Sequence, residues 1–249
     1  MYEREFDIAL DLIKSAYDNI IKDSTREVSK KPDKSLVTKL DTMTEEYITN
    51  GILSEFGSDN FLSEEYHATG KLLDRTWIID PIDGTTNFSN NIPLWSIQLA
   101  FYADGGVQFS IMYFPELDQL FTARKGSGVY LNGARLEYTD DESLDKHIVQ
   151  YIGGFKKYIE ELTPIYKLLV DYCQSQRYDG CASFGYNTIL CDRSNTLVSY
   201  RQDNPWDEMP GDFMCQELGL YIVDNTSLKG KLRVYTRSKE IKELFENYK

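Results

Sequence analysis

The stretch Trp77–Phe88, WIIDPIDGTTNF, constrains the fold more than any other. Trp77, Ile78 and Ile79 form a bulky, β-rich apolar run, which predicts a buried strand. That strand ends in Asp-Pro-Ile-Asp-Gly-Thr, so Asp80 and Asp83 point into one small volume. Pro81 restricts the turn, and Gly84 lets the backbone approach a ligand. If Gly84 and Thr85 open a helix, their N–H groups face outward at its positive end, where an anion is favoured. Two carboxylates beside an anion site call for a cation between them.

Other readings of a lone acidic turn must be weighed. A calcium EF-hand loop starting at Asp80 would put Pro81 second and Asn91 twelfth, where Glu is required. An aspartyl-phosphate phosphatase of the haloacid dehalogenase type wants aspartates two apart, and here they are three apart. A solvated acidic turn stays open until the flanking sequence is read.

The 249 residues suit one large domain or two intimately packed halves, and 41% hydrophobic content is enough for a real core. A formal net charge of −13 repels nucleic acid and anionic membranes, so neither is expected as a partner. No apolar run approaches the roughly 18 residues of a membrane span. The N-terminal MYEREFDIAL lacks the basic-then-apolar layout of a signal peptide, so a cytoplasmic location is expected. Cys173, Cys181, Cys191 and Cys215 lie singly, and neither His67 nor His147 has a Cys or His nearby. Reduced thiols are expected, and a zinc site is not.

Phe6, Ala9, Leu10, Ile13, Ala16, Tyr17 and Ile20 recur at helical spacing and predict a helix over 2–22. Thr42 and Glu45 suggest a capping box just after Asp41, opening a second helix to about Phe56. The alternation at Ile97–Phe101 and Val107–Ile111 around Asp104-Gly105-Gly106 predicts a hairpin. Strands at Leu117–Thr122 and Gly128–Leu131 extend it, with Asn132-Gly133 as a turn. The second half reads as α/β alternation: strand His147–Ile152, a helix from Thr163-Pro164, strand-like Ala182–Phe184, and a helix near 186–193. Strand 196–200, a helix from about Asp207, strands 220–224 and 232–235, and a terminal helix follow. The expected organisation is a single compact domain over 1–249. One half, 1–140, holds helices plus an antiparallel sheet, and the other, 141–249, is α/β.

The flanks decide the meaning of the aspartate turn. FLSEEY upstream carries Glu64 and Glu65, and PWDEMPGDF downstream carries Asp207 at a helix start. In this order around WIIDPIDGTTNF, the chain resembles the inositol monophosphatase family of metal-dependent, lithium-sensitive phosphatases. That family carries GEE, WxxDPxDGTxNF and WDxAAG. LVTKLD at 36–41 and KGSGVYLNG at 125–133 extend the match over most of the chain.

The resemblance implies a layered α/β/α/β/α sandwich. It implies that Glu64, Asp80, Asp83, Asp207 and the carbonyl of Ile82 hold two or three Mg²⁺ ions, with Mn²⁺ as a substitute. Charge physics agrees: four clustered carboxylates without cations would cost on the order of 10 kcal/mol. Glu64, Thr85 and Asp41 are the implied catalytic residues, acting on an attacking water with no phosphoenzyme. Gly84 and Thr85 N–H groups would hold the phosphate, and Lys30 matches a lysine of a metal-binding loop. The implied partners are a small sugar, polyol or nucleotide phosphate and a second copy in a homodimer.

Several positions depart from the family pattern. Ser63 and Tyr66 flank Glu64-Glu65, Ala182 stands where many members have Arg, and Met209-Pro210 replaces two small residues. Tyr186 follows Gly185 where a small residue is usual, and Tyr200 replaces a sugar-binding Glu. Gly185, Tyr186 and Tyr200 are therefore expected at the substrate's alcohol, with inositol a poor fit. Fructose 1,6-bisphosphate and adenosine 3′,5′-bisphosphate are alternative substrates, and a catalytically weak regulatory member is the rival reading.

Overall fold

The computed structural model describes residues 1–26, 28–30, 36–140, 147–153, 158–200, 204–225 and 232–248. Helix α1 (Glu3–Ala16) buries Ala9, Ile13 and Ala16, then widens into a π turn, Tyr17–Ile21. Strands β1 (Val28–Lys30) and β2 (Leu36–Thr38) pair antiparallel. Helix α2 (Lys39–Glu55) starts earlier than the sequence suggested. Its capping box is Thr38 with Asp41, not Thr42 with Glu45. Thr38 has extended backbone and accepts from the Leu40 and Asp41 N–H groups, while Asp41 reaches back to the Thr38 N–H.

The first sheet has seven strands in sequential order: β3 (Asn60–Ser63), β4 (Thr76–Asp83), β5 (Ser96–Ala103), β6 (Gly106–Phe114), β7 (Gln119–Arg124), β8 (Gly128–Leu131) and β9 (Ala134–Arg135). The pair β3–β4 is parallel, and the pairs from β4 onward are antiparallel. Asp104 and Gly105 turn the β5–β6 hairpin at φ 51° and 76°, and Asn132 and Gly133 turn β8 into β9 at φ 50° and 80°. Both are the left-handed pairs that a tight hairpin demands. A five-residue helix, α3 (Thr85–Ser89), follows β4.

The second sheet has five strands, β10 (Ile148–Ile152), β11 (Ser175–Arg177), β12 (Thr196–Tyr200), β13 (Tyr221–Asn225) and β14 (Leu232–Thr236), in the order 11-10-12-14-13. Helices α4 (Ile159–Leu169), α5 (Ala182–Leu190), α6 (Pro205–Leu218) and α7 (Lys239–Glu246) connect or follow them. Two expectations are corrected here. Pro164 lies inside α4 rather than at its start. Ala182–Phe184 is the first turn of α5, not a strand.

Strand parity sorts the side chains into layers. Trp77 and Ile79 of β4 face α1 and α2, whereas Ile78 packs with Trp206 of α6. Leu197, Ile152 and Tyr235 join Tyr186, Ile189, Phe213 and Met214 of α5 and α6, together with Phe114 and Phe121 of the first sheet. Val198, Tyr200, Tyr151 and Val234 face Leu162 and Ile165 of α4 and Ile241 and Phe245 of α7. The result is the expected α/β/α/β/α sandwich, with α5 and α6 as the middle layer.

Candidate active site

The site forms where β4 ends against the middle layer. The pairing of β4 with β5 holds register to Asp80↔Gln98 and resumes at Asp83↔Ser96, so Pro81 and Ile82 form an irregularity between two aspartates. Ile82 N–H donates to Asp80 Oδ1 at 3.1 Å, which folds the Asp80 carboxylate over the turn. Gly84 then takes φ 85°. A Cβ there would stand 3.0 Å from both Cys181 Cβ and the Leu94 carbonyl, so glycine is required on both counts.

Asp207 arrives from the first turn of α6, which Pro205 opens. Asn204 Nδ2 donates to its carboxylate at 3.1 Å. Asp80, Asp83 and Asp207 each offer an oxygen within 4.8 Å of the others. Asp80 and Asp83 are buried. Among the described residues, none of the three pairs with a lysine or arginine. Burial first, then the charges of Glu64, Asp83 and Asp207, hold the Asp80 carboxyl well above the usual range. Asp207 is raised likewise, by burial and then by Asp83 and Glu64. A cation relieves this repulsion, and an all-oxygen donor set suits a hard one such as Mg²⁺. The residues therefore fit a divalent metal.

Glu64 is not among the three carboxylates that converge within 4.8 Å, but register places it next to them. Ser63 of β3 lies opposite Ile79 of β4, so the next residue, Glu64, emerges beside Asp80. Its charge is felt at both Asp80 and Asp207.

Asp83 is held from the middle layer. The Ala182 and Ser183 N–H groups at the start of α5 donate to its two oxygens at 3.3 and 2.5 Å, and the Cys181 thiol donates at 3.1 Å. A carboxylate from β4 thus caps α5, although no local side chain of α5 does so. This tertiary cap explains why the segment is helical despite its strand-like reading. Burial first, then the Asp83 charge, pushes the Cys181 thiol up, so it remains a protonated donor.

Thr85 Oγ1 lies 3.4 Å from Asp41 Oδ1 and 3.2 Å from the Ile82 carbonyl. Burial raises the Asp41 carboxyl to about 6, against the opposing hydrogen bonds from Thr38.

Three expected substrate residues stand elsewhere. Tyr200 is 1% exposed and shares the parity of Val198, so its ring faces the outer layer and packs on Tyr158 at 4.5 Å. Tyr186 is 0% exposed; it packs against Gly211, and its hydroxyl meets that of Tyr235 at 3.2 Å. Gly185 admits close packing of α5 on β10, because a Cβ would stand 2.3 Å from Ile152. The expectation that these three line the alcohol pocket is corrected: all three are core. The opening beside Asp83 and Asp207 is instead lined by Gly153, Tyr178, Gly180, Cys181 and Ala182, and encloses about 110 Å³. Lys30 falls in β1, and its side chain lies outside the described residues.

Residues that the sequence did not single out complete the frame. Gln98 Nε2 approaches Asp80 Oδ2 at 3.4 Å. Asn87 Nδ2 donates to the Leu94 and Asp179 carbonyls at 2.8 Å each, tying α3 to the loop before Cys181. Asn87 sits within the aspartate motif, so proximity was a usable signal; Gln98 and Cys181 carry none.

The family model described as the inositol monophosphatase family matches residues 2–243. An inositol monophosphatase of Dictyostelium discoideum is 31% identical over 226 residues, covering 87% of this chain and 83% of its own. The fructose-1,6-bisphosphatase/inositol-1-monophosphatase of Thermotoga maritima is 30% identical over 197 residues, covering 77% of this chain and 72% of its own. Among solved structures, an IMPase of Thermotoga maritima superposes with a TM-score of 0.83 at 26% identity, covering 99% of this chain and 96% of its own.

Proposed function

The chain belongs to the inositol monophosphatase family and is a phosphoric monoester hydrolase, and we propose that Mg²⁺ held by Glu64, Asp80, Asp83, Asp207 and the Ile82 carbonyl supports hydrolysis of a small phosphomonoester. One observation carries this reading: two aspartates at the end of β4 and a third from the first turn of α6 converge within 4.8 Å, with no basic partner among the described residues. Two or three ions are proposed, with Mn²⁺ able to substitute. Bound there, the metal supplies Lewis acidity that activates water and stabilises the leaving oxygen.

The chain's own groups supply the rest. The Gly84 and Thr85 N–H groups hold the phosphate in line. Thr85 donates to ionised Asp41, so Asp41 can draw a proton from an attacking water through the Thr85 hydroxyl. Glu64 orients that water, and no phosphoenzyme forms.

The alcohol occupies the opening lined by Gly153, Tyr178 and Ala182. Inositol 1-phosphate returns to the candidates, because the tyrosines thought to exclude it are buried in the core. A relative named for both fructose-1,6-bisphosphatase and inositol-1-monophosphatase keeps the bisphosphate in the panel. A weak regulatory member is disfavoured by the intact carboxylates and the Asp41–Thr85 contact.

The proposal extends to lithium sensitivity, a homodimer and a cytoplasmic location. Among the described residues no helix is long and apolar enough to cross a membrane. The core shared by Phe114, Phe121, Ile152 and Leu197 supports reading 1–249 as one domain with halves 1–140 and 141–249. Phosphate release from a panel of phosphomonoesters, with and without Mg²⁺, tests the activity.

A further inference from the structure

Glu45 lies one turn after Asp41 on α2 and is 0% exposed. Among the described residues it pairs with no lysine or arginine, and its contact with the His67 ring is 3.4 Å. Burying such a charge is unfavourable unless several donors surround it. The donors all come from one short segment. Glu45 Oε1 accepts from Ser63 Oγ at 2.5 Å and from Tyr66 N–H at 2.9 Å, and Oε2 accepts from Glu65 N–H at 2.8 Å. These groups bracket Glu64 on both sides. The expected capping role for Glu45 is absent, since Thr38 and Asp41 form the box.

We propose that Glu45 is a positioning residue for Glu64: it fixes the backbone from Ser63 to Tyr66 so that the Glu64 carboxylate is aimed at the Asp80–Asp207 cluster. This rests on the proposed metal-binding role of Glu64. Helix α2 then serves the site twice. Asp41 reaches Thr85 from its first turn, and Glu45 holds the Glu64 segment from its second. Groups that orient a ligand without touching the metal set its affinity, because a misaimed carboxylate binds more weakly.

The test is Glu45→Gln. An amide keeps the volume but has one acceptor oxygen. Either the Glu65 or the Tyr66 N–H must then face an NH₂ group, next to Glu64. Mg²⁺ binding to the metal-free full chain is measured by titration calorimetry. Amide hydrogen exchange at Glu65 and Tyr66 is measured in parallel. The expected result is Mg²⁺ affinity weaker by about 10–100-fold, faster exchange at one of the two amides, and kcat at saturating Mg²⁺ close to that of the unaltered chain. A lowered melting temperature with unchanged Mg²⁺ affinity would show a purely structural role and overturn the proposal. If Glu45→Gln does not fold, Glu45→Asp, which withdraws the charge by one methylene, carries the same test: weaker Mg²⁺ binding supports the proposal and unchanged binding overturns it. An unaltered chain that binds no Mg²⁺ overturns the functional reading and this inference together. Normal binding in both the unaltered chain and the variant overturns this inference alone.

Discussion

Ser183 donates its backbone N–H to Asp83 Oδ2 at 2.5 Å, so a strand-end carboxylate of one sheet caps a helix of the middle layer. The aspartate cluster and the joint between the layers are therefore the same structure. This separates two aspartates that look equivalent in sequence. Asp80 is buried among like charges, and among the described residues the donors to its carboxylate are Gln98 Nε2 and the Ile82 N–H. Asp83 has the α5 terminus as well.

Asp80→Asn should raise the melting temperature in chelator at pH 8, by roughly 2–4 °C for each kcal/mol of repulsion removed. Asp83→Asn should not, because it loses cap bonds worth about 1 kcal/mol. Each variant should lose at least about a hundredfold in Mg²⁺-dependent turnover, since each removes a share of several kcal/mol of charge stabilisation. Parallel melts and phosphate-release assays check both. Equal gains in melting temperature for the two variants would contradict the capping account.

Asp41 gives a pH signature. Its folded carboxyl sits at about 6, above its ordinary value of 3.8, chiefly through burial. The native state therefore binds the proton more tightly than the unfolded state. Its contribution to stability is present below about 4 and is lost as pH rises through about 6. A shift of about two pH units corresponds to about 3 kcal/mol. Urea unfolding of the metal-free chain and of Asp41→Asn, compared at pH 4 and pH 7, should show the unaltered chain losing about that much relative to the variant. A pH-independent difference would contradict the assignment.

The tyrosines divide by burial. Tyr200→Ala should cost about 3–5 kcal/mol in stability, as for other large core truncations. It should leave KM unchanged in the protein that folds. Tyr178 is 47% exposed, lines the opening beside Asp83 and Asp207, and donates its hydroxyl to the Gly153 carbonyl at 2.6 Å. Tyr178→Ala should change stability by less than about 0.5 kcal/mol beyond that one bond and should change KM across a substrate panel. Melting curves with KM values for both variants distinguish the two tyrosines.

Much of the candidate site's geometry was legible because most of its proposed groups sit in one short local motif. Asp80, Asp83, Gly84 and Thr85 lie within one turn, where spacing alone forces proximity. Hairpins marked by Asp104-Gly105 and Asn132-Gly133 were legible for the same reason: a φ demand selects the residue types. What failed was tertiary. The start of α5 read as a strand because its cap comes from Asp83, about a hundred residues away in sequence. Glu45 reads as a cap because it follows Thr42 by three residues, the capping-box spacing, whereas its partners lie on the 63–66 segment. Tyr200 occupies the chain position of the family's sugar-binding Glu, but position along the chain does not fix a face: strand parity decides which face a ring takes.

The most direct measurement is release of inorganic phosphate by the purified chain from inositol 1-phosphate, fructose 1,6-bisphosphate, adenosine 3′,5′-bisphosphate and nitrophenyl phosphate, with Mg²⁺ and with chelator. The account predicts Mg²⁺-dependent release from at least one of them, abolished by chelator and by Asp80→Asn, with no covalent phosphoenzyme trapped during turnover. Turnover that persists in chelator, or a trapped acyl-phosphate, would contradict it.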